Sequence, residues 1–452
     1  MGNPASELDF LLEYVRLADA GEGLACWLNE YEAARRAWQV DRCQRLWRFI
    51  AAQPLDLLTA ARMRMMRALF WVDQGKWAEA EQEYHYVLSV FEREKDWRNA
   101  GYALNNLGDL LLKQGQWSEA LSAFKRSAEV TRRIGDEAAF GHALSNIAAV
   151  HELKGEHDAA LRGYEDALAI ARHLQDREGE ERALSNLGTV YRRMNRLQQA
   201  IECYEASIHI CRERNDQRGL ALSLVNLGVA QYHQEEFDTA EATLTQALSE
   251  LQNIGDLAHV GAVLNNLGLV QRKRGNLDRA RQMFEESRSI AHNMNDKWGE
   301  SHALSNLGNV YKAQGNFAQA LVCHQRDVVL CQELGDKQGL ATAFLNCALM
   351  YAEQGDWETA RRHGKQAWQL ALTEQYNSLH ARLSLLWMRD ALAHKEDKVA
   401  LEHWREAQEA ADRAGKAERV LVEAEGRRQI ERLSLHRRWK LKRWTIRPGE
   451  SA

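Results

Sequence analysis

From Ser301 the chain reads SHALSNLGNVYKAQGNFAQA, and Ala303, Leu304, Leu307, Gly308, Val310 and Tyr311 follow the i, i+3, i+4, i+7 spacing of an amphipathic helix. Counting Ser301 as position 1, Gly315 interrupts this pattern at position 15, as Gly115, Gly155, Gly275 and Gly355 do in equivalent stretches. The interruption predicts a helix end and a tight turn, with a second helix after it. In that second helix position 20 is alanine throughout: Ala120, Ala160, Ala200, Ala240, Ala280, Ala320 and Ala360. Position 24 is often aromatic (Phe124, Tyr164, Tyr204, Phe284) and position 27 mostly small (Ser127, Ala167, Ser207, Ala247, Ser287). A site that holds only a methyl group is one where two helix backbones approach closely, since a larger side chain would cost roughly 1–3 kcal/mol by overpacking.

The whole pattern recurs every 40 residues, a period that marks a solenoid, so chain length counts repeats rather than domains. Its clearest marker is polar: Asn106, Asn146, Asn186, Asn226, Asn266, Asn306 and Asn346 all stand at position 6, inside otherwise apolar runs. At about 100° per residue, positions 3, 4, 7, 11 and 14 share one side of the first helix and positions 2, 6, 9 and 13 another. The asparagines therefore border the core and face an inner surface.

Composition sharpens this reading. The chain has 452 residues, 45% hydrophobic and 27% charged, enough apolar material to bury a core. Its prolines, Pro4, Pro54 and Pro448, leave one continuous body between residues 55 and 447. A formal net charge of −5 argues against general affinity for nucleic acid. The start, MGNPASELDF, lacks the basic-then-apolar order of a secretion signal, and no run of 18 or more apolar residues occurs, so a cytoplasmic protein is expected. Cys203/Cys211 and Cys323/Cys331 are each eight apart, about 12 Å along a helix and too far for a disulfide, which fits reduced thiols.

The set Leu307, Gly308, Tyr311, Gly315 and Ala320, with Phe284 and Ser287 late in the preceding unit, resembles the tetratricopeptide repeat. The resemblance implies an all-α fold in which antiparallel helix pairs stack into a right-handed superhelical solenoid. The usual unit has about 34 residues. Here the second helix runs on to a Gly-Asp step (Gly135-Asp136, Gly255-Asp256, Gly335-Asp336), as in the longer repeats of kinesin light chains, Pins-type scaffolds and bacterial signalling proteins. Seven repeats are expected over 101–380. A degenerate unit is expected at 61–100, where Arg67 replaces the core leucine, and another at 381–415, where Ala400, Trp404 and Ala407 fit. Residues 1–60, with Leu11, Leu12, Trp27, Trp38 and Trp47, should cap one end, and 416–452 should form a last helix to about 445 and a basic tail.

Stacked at equal intervals, the asparagine amides offer a donor and an acceptor each, a pair that can bracket the backbone of an extended peptide. The resemblance likewise implies peptide binding along a concave groove. The same amides could instead bond a neighbouring helix and fix repeat packing, because half-buried polar groups need partners. Arg182, Arg192, Arg193, Arg272, Lys273 and Lys312 would make the groove basic and suit an acidic or phosphorylated segment. Several of them also end a first helix, where its dipole favours a cation whether or not anything binds. Position 5 carries no lysine in any unit, unlike the clamp with which some family members grip a C-terminal carboxylate.

No nucleotide, nucleophile-elbow or CxxC motif occurs, and His151 and His157 are six apart, so they do not share a helix face as a zinc pair would. Neither catalysis, nor a metal, nor a cofactor is expected. The tail contains Arg437, Arg438, Lys440, Lys442 and Arg443 interleaved with Trp439 and Trp444, a pattern for anions such as phosphate backbones or lipid heads, or else tryptophans packing on the last repeat with the cations in water. The sequence thus reads as a scaffold or adaptor that binds a protein or peptide. Its alternatives are a sensor subunit controlling a separate effector and, through the tail, a nucleic-acid binder; self-association through exposed tryptophans stays open.

Overall fold

The computed structural model describes residues 27, 29–35, 40–51, 55–373 and 376–433. Cys26, Leu11, Leu12, Trp38 and everything after residue 433, the basic tail included, lie outside the described residues. Among the described residues all regular structure is helical, with no strand.

From Leu57–Asp73 through Trp77–Arg93 and Trp97–Lys113 to Asp397–Ala414, a new helix begins every 20 residues. Each 40-residue unit is thus two helices of 17 or 18 residues joined by short connectors. That length corresponds to about 26 Å. Local chemistry fixes both ends. Gly115 has φ 77°, its N–H donates to Leu112 O at 3.0 Å and the next N–H, from Gln116, donates to Leu111 O at 2.9 Å. This left-handed residue with paired reverse bonds closes the helix and satisfies its last carbonyls. The same turn recurs at Lys95, Asn195 and Glu235, with φ of 58°, 58° and 65°, so the geometry survives where glycine is missing. At the other end Asp136 and Asp296 accept from the N–H groups of Ala139 at 3.1 Å and Gly299 at 3.0 Å, each capping the helix that follows. The Gly-Asp step is therefore one helix stop and the next helix start.

Ala120, Ala160, Ala200, Ala240, Ala280 and Ala320 are fully buried, and Ala360 nearly so. Close approach is sharpest at position 8. A Cβ on Gly108, Gly188 or Gly268 would lie 2.5, 2.6 and 2.6 Å from the rings of Phe124, Tyr204 and Phe284, so the glycine is the space into which the position-24 ring packs.

The chain divides into two compact parts, residues 1–215 and 216–452. In the first, Trp27 stacks on Tyr31 with ring centroids 4.8 Å apart, its Nε1 donates to Leu46 O at 2.9 Å, and both rings join Cys43, Leu46, Ile50, Met63 and Phe70 in one core. Arg67 occupies its core-facing site without disrupting it. Its guanidinium lies 4.3 and 4.5 Å from the Trp47 and Trp71 rings and 2.8 Å from Glu83, a buried carboxylate that Arg64 also holds at 2.6 Å. In the second part Asn377–Ala393, Asp397–Ala414 and Lys416–Glu431 share a core that includes Leu385, Met388, Leu401, Val422 and Ile430. The last described helix ends at Glu431, where Arg432 caps it in a turn whose Leu433 N–H donates to Ile430 O at 3.1 Å; residues 434–445 lie outside the described residues.

One ring position departs from the pattern. His324 stands at position 24, fully buried against Gly308, with neither ring nitrogen hydrogen-bonded, and burial lowers its pKa from 6.5 to about 4. A folded value below the unfolded one means that protons favour the unfolded chain, so stability falls as pH drops from about 6.5 to 4. His324→Phe, which reproduces the Phe284 arrangement, should raise stability by about 1–3 kcal/mol through loss of the unpaired polar atoms. It should also flatten that acid slope. Thermal unfolding at pH 7 and pH 5 measures both, and a variant as acid-sensitive as the native chain would contradict the assignment.

Candidate peptide-binding face

All seven position-6 asparagines are half-buried on first helices. Asn106, Asn146 and Asn186 belong to the first part, and Asn226, Asn266, Asn306 and Asn346 to the second. They behave in two ways. Asn146 Nδ2 donates to Asn105 Oδ1 at 3.0 Å and Asp109 Oδ1 at 3.3 Å, and Asn306 Nδ2 donates to Asn265 Oδ1 at 2.9 Å. The side chains of Asn106, Asn186, Asn226, Asn266 and Asn346 make no hydrogen bond with the described residues. Position 5 of the preceding unit decides which behaviour occurs. Where it is asparagine (Asn105, Asn265) the next amide is captured; where it is Ser145, Ser185, Val225 or Ser305 the next amide stays open. Asn146 and Asn306 thus serve repeat packing, while the other amides keep their donor and acceptor unused within the described residues.

Beside the open rungs lie two equivalent hollows. One, of about 230 Å³, is lined by Gly141, His142, Asn146, Ile170, Ala171, Leu174, Arg182 and Asn186 among others. The second, of about 270 Å³, is lined by Gly261, Asn265, Asn266, Ile290, Ala291, Met294 and His302 among others. Each is lined by small and aliphatic groups together with polar ones, Asp109, His142, Asp176 and Arg182 in the first and Asn265, Asp296 and His302 in the second.

Arg182, Arg192 and Arg193 belong to the first part and Arg272, Lys273 and Lys312 to the second. Arg193 pairs with Glu152 at 3.1 Å, and Arg192, its Nε buried, lies beside the Tyr204 hydroxyl. Arg182 Nη2 is 2.7 Å from His142 Nε2, so a neutral imidazole accepts from it; burial and the Arg182 charge hold the His142 pKa below its ordinary value. Arg272 and Lys273 have no ion pair with the described residues. Burial lowers the Lys312 pKa. Arg437, Arg438, Lys440, Lys442 and Arg443 lie outside the described residues.

Sequence reasoning did not single out Asp109, which lines the first hollow and is pushed by burial from 3.8 up to about 6. A folded value above the unfolded one means that folding takes up a proton between about pH 4 and 6. The cost of the carboxylate is absent below that window and full above it. Asp109→Asn keeps an acceptor for Asn146 and should add about 2 kcal/mol at pH 7 and almost nothing at pH 4. Urea unfolding at the two pH values checks this; an equal gain at both would contradict it.

The remaining chemistry is quiet. His151 Nδ1 lies 2.5 Å from Glu156 Oε2, a satisfied half-buried histidine. Among the described residues no group of three or more His, Cys, Asp or Glu could hold a metal ion, and no helix is long and apolar enough to cross a membrane. Cys43, Cys203, Cys323, Cys331 and Cys347 are free thiols, and burial raises Cys203 and Cys323 to about 11.

The family model described as tetratricopeptide repeat matches residues 59–133, 140–213, 219–292 and 300–372. The chain belongs to the tetratricopeptide repeat family. The match takes in residues 61–100, the unit around Arg67. No curated protein sequence matches the chain. Among solved structures it is similar to the apo form of the quorum sensor NprR from B. thuringiensis, with 17% identity, 78% of this chain and 99% of that one covered, and a TM-score of 0.56. It is also similar to a Rap protein complexed with competence and sporulation factor, with 14% identity, 78% and 98% covered, and a TM-score of 0.54. A third is a signal transduction ATPase with numerous domains and a tetratricopeptide repeat sensor from Pyrococcus horikoshii, at 14% identity and TM-score 0.54, with 88% of this chain and 56% of that one covered. At these identities the likeness shows the fold: an all-α solenoid of paired helices. As a tetratricopeptide repeat protein the chain is a protein-interaction scaffold that binds protein or peptide partners.

Proposed function

We propose that this scaffold is non-enzymatic and holds extended partner segments against the inner face of the first helices, through the open amide Asn186 in the first part and Asn226, Asn266 and Asn346 in the second. The observation that carries the reading is the split in the ladder. An amide used only for packing would be captured at every rung, as Asn146 and Asn306 are. The open ones keep a donor and an acceptor, those of Asn226 and Asn266 one repeat apart within the second part, which suits the main chain of a peptide. Asn106 has the same open amide at the first rung.

Arg182, Arg272 and Lys273, which have no carboxylate partner, would pair with an acidic residue of the bound segment. Trp77, Trp97 and Trp117, all exposed at helix starts, are where a second copy would dock. A cytoplasmic setting matches the absence, among the described residues, of a membrane-spanning helix. The sensor reading shares this site and adds an effector; the quorum sensor NprR and the Rap protein complexed with competence and sporulation factor have the same fold.

Affinity capture from the source cells, comparing the native chain with Asn186→Ala/Asn226→Ala/Asn266→Ala, tests the proposal. The expected result is a normally folded variant that loses a partner the native chain retains. Retention of every partner by a folded variant would refute the inner-face reading.

A further inference from the structure

The two hollows arise from the same pair of absences. Position 1 is glycine and position 31 alanine at Gly141 with Ala171 and at Gly261 with Ala291, and the two coincide in none of the other five units between 101 and 380. In two of those units the space is visibly taken. Opposite Gly101 stands Thr131, whose Cγ2 lies 2.8 Å from where a Cβ on that glycine would sit. In the unit beginning at Ala221, Leu251 holds position 31 and is fully buried.

Packing does not require glycine at Gly261. A Cβ there would meet nothing nearer than Ile290 Cγ2 at 3.4 Å, an ordinary contact, whereas Cβ on Gly268 in the same helix would collide with the Phe284 ring at 2.6 Å. Glycine weakens a helix interior. At Gly268 ring packing offsets that loss, and at Gly261 nothing within the fold does. Gly141 is intermediate, with Ile170 Cγ2 at 3.2 Å.

We infer that the two hollows are sockets, each seating one apolar side chain of the bound segment, with Gly141 and Gly261 as specificity-determining residues; the inference rests on the inner-face reading. Volumes near 230 and 270 Å³ fall below those of pockets for drug-sized ligands, which start at about 300 Å³, and suit a single side chain. Ile170, Ala171 and Leu174 in one and Ile290, Ala291 and Met294 in the other give an aliphatic side chain apolar surface to bury, beside the carboxylates Asp109 and Asp176 in the first hollow and Asp296 in the second. The open amides of Asn186 and Asn266 lie at the rims, placed to hold the flanking main chain.

A phage-displayed library of 12-residue peptides, panned on the full chain, supplies the probes, and affinities of the selected peptides are then measured on variants. Selected peptides should share a Leu, Ile, Val or Met, and filling the socket they use, by Gly141→Leu or Gly261→Leu, should weaken them about 10- to 100-fold, the worth of burying one such side chain. Ala291→Leu fills the second socket from its opposite wall and copies the Leu251 arrangement, so it serves if leucine at Gly261 disturbs the helix. Peptides weakened by Asn186→Ala or Asn266→Ala but indifferent to every socket-filling variant would overturn the sockets and leave the inner-face reading standing. Peptides indifferent to all of these variants would overturn both.

Discussion

Alanine at Gly268 is expected to destabilise the protein by about 2 kcal/mol, and alanine at Gly261 to stabilise it by up to about 1 kcal/mol. The two glycines share the helix Leu257–Lys273, so helix propensity favours alanine equally at both. What differs is the neighbour. At Gly268 the new methyl carbon would sit 2.6–2.8 Å from three atoms of the Phe284 ring, which is fully buried and cannot retreat. At Gly261 the nearest atom is a methyl carbon at 3.4 Å, and the main-chain carbonyl that accepts from Ser287 Oγ at 2.8 Å is untouched. Urea unfolding followed by circular dichroism, together with amide exchange in this helix, reads both effects. The account requires opposite signs. Two destabilising changes would mean that Gly261 is a packing glycine and the hollow beside it an accident of packing.

Asn306→Ala and Asn266→Ala should also part company. Asn306 is bonded to Asn265, so its loss leaves a half-buried acceptor without its donor and should cost about 1 kcal/mol of stability. Asn266 has no such partner, and its loss should change stability by less than about 0.5 kcal/mol while weakening a bound segment about tenfold or more. Asn146, bonded to Asn105 and Asp109, should follow Asn306, and Asn186 should follow Asn266. Melting curves and binding titrations on the four single variants test the division. Equal stability losses at all four would make the ladder structural throughout.

Much of this architecture could be read along the chain because its signals are local. Gly115 and Gly315 mark helix stops through their own backbone freedom, and Ala120 through Ala360 mark close approach by the absence of anything larger. Turns at Lys95 and Glu235 were less legible, since nothing in these side chains announces a left-handed conformation, whereas asparagine, as at Asn195, is enriched there. Arg67 pointed to a weak unit because the patterning rule sees a charge, not the Glu83 carboxylate and two tryptophan rings that accommodate it. The candidate site was only half legible. Which asparagines stay open depends on residues 41 positions earlier, and the sockets depend on Ile170 and Ile290, each 29 positions after its glycine. Both patterns were present in the repeat alignment, but without the contacts there was no reason to pair position 1 with position 31 or position 6 with position 5.

A cysteine footprint tests the central claim most directly. Asn186→Cys, Asn266→Cys and, on the second helix Phe317–Leu334, Val322→Cys would each be labelled with a maleimide, with and without a captured partner, against the background of the native chain; Val322 is 60% exposed. The account predicts that the partner slows labelling at 186 and 266 and leaves 322 unchanged. Protection at 322 with none at 186 or 266 would contradict it.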